Sequence, residues 1–334
     1  MSENRVRICD IAEELGLSTA TVSYVLHGKL GKVSEETARR VMALLEERQY
    51  LPGMAKLLLD QNPSRIIGVV INDHEKYEEH TLEDSFIASA LNALSVEMVK
   101  NDLQMLVKRT ADIWEIVAFS TMWNLEGLVL IGFCAQDYGR LRERIRVPFV
   151  VYDGCGAAAE RICCINIDDR QGGFLVGDHF RRCGHRRALC ISDNNVGMDR
   201  ERWEGFCAGF GADGARQMLI PMNKVSRIAF YREHMQEIRR YTAVFAVSDY
   251  YAAELMHFLC EHGISVPKEI SVAGFDDAPL CRMIYPPLTS VRQDAAQRAR
   301  FAVEMLRRLR EGEKTEPQIT LPVTFILRES TRCL

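Results

Sequence analysis

Residues 18–26, STATVSYVL, read as a short helix with a marked start and two different faces. Ser18 stands where an N-cap is needed: its hydroxyl can accept from the free backbone N–H groups of the first turn, and Gly16 just ahead of it permits a sharp turn out of a preceding helix. Val22, Val25 and Leu26 follow the i, i+3, i+4 rule and face inward. Thr19, Ala20, Ser23, Tyr24 and His27 are left on the other side, small and hydrogen-bonding groups suited to reading base edges. An amphipathic surface helix of any small helical domain would show the same two faces, so the surroundings decide.

Working outward, Ile8, Ile11, Ala12 and Leu15 mark one apolar helical face that ends at Gly16. Two short helices joined by the turn Gly16-Leu17-Ser18 form a helix-turn-helix pattern. A third helix starts after Ser34, a second N-cap, with Glu35 and Glu36 at the positive end of its dipole. It carries Ala38, Val41, Leu44, Leu45 and Arg48 to about residue 49, and with Val33 and Tyr50 the three helices can close one small core. Residues 1–62 hold eight Lys or Arg against nine Asp or Glu, so a bulk basic charge is not what would hold DNA. Placement carries that reading instead. Arg5 and Arg7 precede the first helix, Lys29 and Lys32 follow the second, and Arg39 and Arg40 open the third, each within reach of a phosphate. Leu51-Pro52-Gly53 and then Met54 to Leu59 read as a short hinge segment whose consecutive leucines need a cover.

The whole chain, 334 residues with 47% hydrophobic and 26% charged, has ordinary globular composition and room for two or three domains. No apolar run approaches the roughly 20 residues that span a bilayer. The opening MSENRVRICD lacks the apolar centre of a signal peptide, so a cytoplasmic, membrane-free protein is expected. The 11 cysteines form no CxxC, and several lie in apolar runs, which points to buried free thiols; adjacent Cys163 and Cys164 have no further ligand at metal spacing. No GxxxxGK[ST], GxSxG or HExxH occurs. Hence no catalytic residue, metal site or cofactor is expected, and the chain is not expected to be an enzyme.

From Ile66 onward strand and helix alternate. Strands are expected at 66–71, 103–107, 127–132 and 148–152, and again at 188–192, 243–247 and 270–274, with helices near 170–183, 200–210, 226–239 and 250–262. This is the pattern of doubly wound parallel sheets, and so many strands fit two lobes better than one. Ligands then bind beyond the carboxyl ends of the strands, in the cleft. Gly154-Cys-Gly156-Ala-Ala-Ala159 matches the GxGxxA form of the dinucleotide fingerprint. However, Asp168 and Asp169 come too early for a ribose contact, and the short apolar piece ICCINI replaces the long helix; a flexible crossover between lobes is the preferred reading.

These residues together resemble the lactose-repressor (LacI/GalR) family of bacterial transcription regulators. IAEELGLSTATVSYVLHG (11–28), VSEETARRV (33–41), the Tyr-x-Pro hinge at 50–52 and IIGVVIND (66–73) carry the resemblance. It continues through GHRRALCIS (184–192), ERWEGF (201–206), FAVSD (245–249), VPKEISVAGFDD (266–277), PPLTSVRQD (286–294) and LPVTFILREST (321–331). The resemblance implies a small all-α helix-turn-helix domain followed by a two-lobed α/β, periplasmic-binding-protein-like domain. It also implies a homodimer on a roughly palindromic operator, with hinge helices in the minor groove and a hinge leucine wedged between base pairs. Ungapped alignment places Leu59 at that wedge, or Leu58 if the register slips by one. Gly53 and Leu57 depart from the residues usual in the family hinge. Thr19, Ala20 and Tyr24 match base-reading positions, Tyr24 standing where Arg is common. The effector residues implied are Asn72, Asp73, Asp153, Arg202, Ser248, Asp249 and Asp276; the alternative for each acid is a helix cap or turn, a role that suits Asp249 and Asp277 best. The family's aromatic turn after the first strand is missing, and Tyr77, Trp123 or Trp203 would have to replace it under a carbohydrate.

The expected organisation is a helix-turn-helix domain at 1–51, a hinge at 52–64 and a two-lobed domain at 65–334. Lobe 1 takes about 65–157 and 294–320, and lobe 2 about 158–293 and 321–334. The expected function is a sequence-specific regulator, most simply a repressor, modulated by a small molecule, a sugar by family default. The alternative is a two-lobed solute-binding or sensor protein without a DNA-binding role.

Overall fold

The computed structural model describes residues 8–26, 32–48, 64–74, 80–133, 135–153 and 162–334. The chain divides into two compact units, 1–62 and 63–334, each taken by itself below.

In the first unit, α1 (Ile8–Leu15), α2 (Thr19–Leu26) and α3 (Glu35–Glu47) surround Ile11, Ala12, Val22, Val25, Val41, Leu44 and Leu45, all buried, with Val33 and Ala38 packed against them. Both expected caps form. Ser18 Oγ accepts from Thr21 N at 3.1 Å, and Ser34 Oγ accepts from Thr37 N at 3.2 Å. Gly16 has φ +65° and lets Leu17 N donate back to Ala12 O at 2.8 Å, closing α1 one residue before the new cap. Leu26's side chain, Tyr50 and the whole hinge segment 51–63 lie outside the described residues.

The second unit is built on two six-stranded sheets. The first contains β1 (Ile66–Ile71), β2 (Gln104–Arg109), β3 (Gly127–Ile131), β4 (Phe149–Tyr152), β5 (Ile162–Ile167) and β11 (Gln318–Leu321), in the order β11-β5-β4-β3-β1-β2. The second contains β6 (Ala188–Ser192), β7 (Ala215–Leu219), β8 (Ala243–Ala246), β9 (Ser271–Asp276), β10 (Thr289–Arg292) and β12 (Thr324–Ile326), in the order β12-β10-β9-β8-β6-β7. Every pairing is parallel except β10 with β12. Strands β3 and β4 are buried along their whole length, as parallel strands covered by helices on both faces must be. In the first lobe those helices include α4 (Ser85–Lys100), α5 (Ile113–Met122), α6 (Ala135–Arg144) and α12 (Ala295–Arg310). The second lobe has α7 (Asp169–Arg182), α8 (Gly197–Phe210), α9 (Lys224–Glu233), α10 (Met235–Ile238) and α11 (Asp249–Glu261).

One expected boundary is corrected. ICCINI is β5 of the first sheet, with Phe149 opposite Ile162 and Cys164 opposite Gln318, so the chain first leaves lobe 1 after Ile167 and not near 157. The segment is apolar on both faces because it lies between two parallel neighbours, the setting in which a strand loses its alternation. Residues 154–161, including the glycine-rich match, are outside the description. The expectation for the thiols also changes. Cys163, Cys164, Cys190 and Cys281 are buried thiols outside any disulfide, but Cys9 and Cys260 are exposed, and Cys183 is joined to Cys333 in a disulfide beside the C-terminal end of α7.

α7 and α8 cross with their backbones in contact. Gly173 and Gly177 on one helix, Gly205 and Gly209 on the other, sit where any Cβ would lie within 2.4 Å of a carbonyl oxygen of the facing helix. This contact fixes α8, and with it the side chain of Arg202, against the first turn of α7.

Candidate functional site

The two sheets direct the carboxyl ends of their strands into one inter-lobe cleft, where two adjoining cavities of about 510 and 430 Å³ share Ser85, Phe86, Asp276 and Gln293. The larger cavity is bordered by Gly132 after β3, Asp153 after β4, Asp193 after β6, Ser248 after β8 and Asp276 at the end of β9. Such a crevice beyond strand ends is where open α/β sheets take ligands.

Arg202 is a buried cation of this cleft. Its Nε donates to Asp169 at 2.7 Å and its Nη1 to the Val247 carbonyl at 2.6 Å, while the guanidinium stacks 3.7 Å from the Phe275 ring centroid. Burial pushes the Asp169 carboxyl up to about 6 despite the opposing pull of Arg202. The Asp276 carboxyl is likewise raised well above its ordinary value by burial, with Arg202 resisting.

A chain of hydrogen bonds runs from lobe to lobe. Asp153 accepts from Arg298 Nη2 at 2.6 Å, Gln293 Oε1 accepts from Arg298 Nη1 at 3.0 Å, and Gln293 Nε2 donates to Asp276 at 2.7 Å. Asp153 and Asp276 both hold positive φ, +58° and +116°, a backbone conformation that persists where surrounding structure enforces it, often at ligand sites. Arg298 is 2% exposed, so its pairing with Asp153 is screened little.

Of the effector residues expected from the sequence, the cavity wall brings together Asp153, Arg202, Ser248 and Asp276. Three do not line it. Asn72 donates from Nδ2 to the Gly132 carbonyl at 2.9 Å, and Asp73 accepts from Thr81 Oγ1 at 2.9 Å and stands 3.5 Å from Arg109. Asp249, at the first position of α11, is fully buried. One of its oxygens accepts from Ser290 Oγ at 2.6 Å and the other from Ala278 N at 2.8 Å, so it holds the β9 and β10 loops together. Its carboxyl is pushed up to about 6, mainly by burial, from an ordinary value of 3.8.

A folded-state value above the unfolded one stabilises the fold at low pH, and that contribution is lost as pH rises through about 6. Asp249→Asn, which cannot ionise, is therefore expected to gain stability relative to the parent between pH 4.5 and 7.5, by about 1–3 kcal/mol. Paired denaturant titrations at the two pH values check this; a difference that does not change with pH contradicts it.

The aromatic surface is not the one expected. Trp123 and Trp203 pack against the cores of the two lobes, and Tyr77 lies outside the described residues. Phe86, Tyr250 and Tyr251 line the cavity instead, the two tyrosines directly after FAVSD and Phe86 at the start of α4. Gln293, inside the quoted VRQD motif, and Arg298, one turn into α12, were also missed. Arg298 is in a helix rich in Arg, and nothing local sets it apart.

In the first unit, Thr19 and Ala20 are exposed on α2, and Ser23 and Tyr24 are half-buried. Lys32 is exposed, with its ammonium 5.0 Å from the Tyr24 ring centroid; Arg39 and Arg40 are exposed on α3. Arg5, Arg7, His27, Lys29 and Leu59 lie outside the described residues. Among the described residues no group of three His, Cys, Asp or Glu is placed to hold a metal ion.

Fold and cleft define a two-lobed ligand-binding α/β unit on the same chain as a three-helix, helix-turn-helix unit. The chain carries a lacI-family helix-turn-helix domain and a periplasmic-binding-like domain: the model for bacterial regulatory proteins of the lacI family matches residues 7–53, and that for a periplasmic binding protein-like domain matches 177–331. It is similar to the HTH-type transcriptional repressor PurR of Haemophilus influenzae, 26% identical over 352 residues covering 98% of this chain and 99% of the relative. The PurR of Actinobacillus pleuropneumoniae is 27% identical over 98% of each chain. Among solved structures, a lac repressor dimer bound to operator and the anti-inducer ONPF matches with TM-score 0.79 at 22% identity, over 98% of this chain and 100% of that one. A CelR–cellobiose complex matches with TM-score 0.70 at 23% identity over the same shares.

Proposed function

We propose that this chain is a transcription regulator, acting as a repressor, which binds a palindromic operator as a homodimer and is modulated by a small molecule in the inter-lobe cleft. The observation that carries the reading is the division of α2: Val22 and Val25 are buried in the helical core, Thr19 and Ala20 are left to solvent, and a capped turn of helix-turn-helix form precedes them. The relatives are named as transcriptional repressors, which supports a regulator and not an enzyme. The operator in the lac repressor complex and the cellobiose in the CelR complex are the ligand types this reading assigns to the two units. Among the described residues no helix is long and apolar enough to cross a membrane. A cytoplasmic location is part of the proposal, as action on an operator requires.

The base-reading residues are Thr19, Ala20, Ser23, Tyr24 and His27, with Arg5, Arg7, Lys29 and Lys32 on the backbone and Leu59 wedging the minor groove from a hinge at 52–64. The effector contacts are Asp153, Arg202, Ser248 and Asp276. An effector shifts operator affinity only by its differential affinity for two arrangements of the lobes, typically about 1–3 kcal/mol. The chain Asp153–Arg298–Gln293–Asp276 crosses between the lobes and gives a ligand that contacts it a physical route to that difference.

Selection of random duplexes by the full chain tests the proposal. A site with twofold symmetry is expected to be enriched at moderate salt, and recovery of no common site would sink it.

A further inference from the structure

The smaller cavity of the cleft carries donors that are unmatched among the described residues. Tyr152, at the end of β4, is 1% exposed and lies under the Arg298 guanidinium, 4.1 Å from ring centroid to cation; its hydroxyl makes no hydrogen bond among the described residues. Arg298 Nε is also without a partner there, although both terminal nitrogens are used. Buried polar atoms are ordinarily satisfied, so two such donors at one cavity point to something that accepts from them. Burial also holds the Tyr152 phenol well above its ordinary range, keeping it a donor at every physiological pH.

The rest of the wall points the same way. Ser85 and Ser89, one turn apart at the start of α4, and Arg282 in the turn after β9 line the cavity and make no side-chain hydrogen bond or ion pair among the described residues. The three acids of this wall each have a partner: Asp276 accepts from Gln293 Nε2, Asp277 pairs with Arg292 and Arg328, and Asp294 caps α12 through Gln297 N. The adjoining larger cavity has both signs in its wall, the carboxylates Asp193 and Asp199 beside Tyr251 and the cations Arg202 and Lys224.

We propose that the smaller cavity takes the oxyanion of the effector, so that the cleft recognises an acidic polyol: a carboxylate or phosphate against Tyr152, Ser85, Ser89 and Arg282, and hydroxyls toward Asp193 and Asp199. The proposal rests on the reading of the cleft as an effector site. A cation has nothing to accept with, and leaves every one of these donors unmatched. A neutral hydroxyl accepts from one or two of them and leaves the charge of Arg282 unbalanced. A carboxylate or phosphate accepts several charge-assisted bonds at once.

The test is calorimetric titration of the full chain, without DNA, with matched probes: glucose, gluconate and glucose 6-phosphate; galactose and galacturonate; ribose and ribose 5-phosphate. At least one anion is expected to bind roughly tenfold or more tightly than its neutral parent, the increment of a charge-assisted contact. The carboxylate and phosphate members tell the two kinds of anion apart. Arg282→Gln is expected to remove the advantage with an unchanged thermal midpoint, because the side chain is exposed and makes no ion pair among the described residues. Tyr152→Phe is expected to weaken the anion severalfold with an unchanged thermal midpoint, since its hydroxyl holds nothing among the described residues. A neutral parent that binds as tightly as its anions, an advantage that survives Arg282→Gln, or no anionic probe bound below millimolar concentration would each overturn the proposal. Because no DNA enters the titration, such a failure leaves the duplex selection standing, and a failed selection leaves this result standing.

Discussion

Gly205→Ala is expected to destabilise the α/β unit by about 3–5 kcal/mol, near the limit of what a single substitution does. The new methyl carbon would lie 1.9 Å from the Arg170 carbonyl oxygen, a backbone atom in the first turn of α7 that cannot rotate aside. The neighbouring positions are as tight: 2.0 Å from Gly173 to Arg202 O, 2.3 Å from Gly209 to Phe174 O, and 2.4 Å from Gly177 to Phe206 O. The helices must therefore separate, and the packing of Phe206 and Val176, both fully buried, goes with them. Ordinary overpacking, where side chains can shift, costs about 1–3 kcal/mol, and a clash between backbones exceeds that range. Gly139→Ala in α6 is the control. Among the described residues nothing lies within 4 Å of its Cβ position, and alanine there is expected to be neutral or to stabilise by up to about 1 kcal/mol. Denaturant midpoints of the two variants decide, and a Gly205→Ala loss no larger than that of the control contradicts the packing described.

The second large effect is expected at Arg202. Arg202→Leu leaves Asp169 buried without its cation and the Val247 carbonyl without its donor, a loss of about 3–5 kcal/mol for one half of a buried pair. The Asp169 carboxyl, already near 6, rises further once Arg202 no longer resists burial, so the deficit is expected to be smaller at pH 5 than at pH 7.5. The double variant Arg202→Leu with Asp169→Leu separates structure from binding. Removing both charges is expected to restore most of the stability, whereas ligand affinity stays lost because the guanidinium is part of the cavity wall. Recovery of ligand binding in the double variant would show Arg202 to be scaffold alone.

Much of this architecture was legible because its signals are local. Ser18 and Ser34 announce helix starts by hydroxyl chemistry, Gly16 announces a left-handed turn, and the strands buried on both faces read as continuous apolar runs. ICCINI was misplaced for the same reason in reverse: a short apolar run bears no mark of which sheet it joins, and only the pairing Val151 to Cys164 assigns it. Strands β7, β10, β11 and β12 carry polar or charged residues on faces that lie at or near sheet edges, so their runs do not stand out. The glycines at four-residue spacing in α7 and α8 were visible as text, but their meaning needs the crossing partner, which periodicity within one helix cannot supply.

In the cleft, the legible residues were those adjacent to strand ends within quoted motifs: Asp153, Ser248 and Asp276. Asp249 has the same kind of position and a different fate, because the side chain at the first position of α11 turns back under the β9 loop and is taken up by Ser290 and Ala278. Tyr152 and Arg298 were not legible at all. One is an ordinary strand residue and the other one arginine among several in α12; their significance comes from being brought together at the cavity.

The most direct test of the account is to repeat the duplex selection with Tyr24→Arg beside the parent chain. If α2 is the reading head, both proteins enrich sites of twofold symmetry that differ at one symmetric pair of positions, where arginine brings a preference for guanine through its bidentate contact. Identical preferred sequences for the two proteins would contradict the assignment of α2 to base recognition.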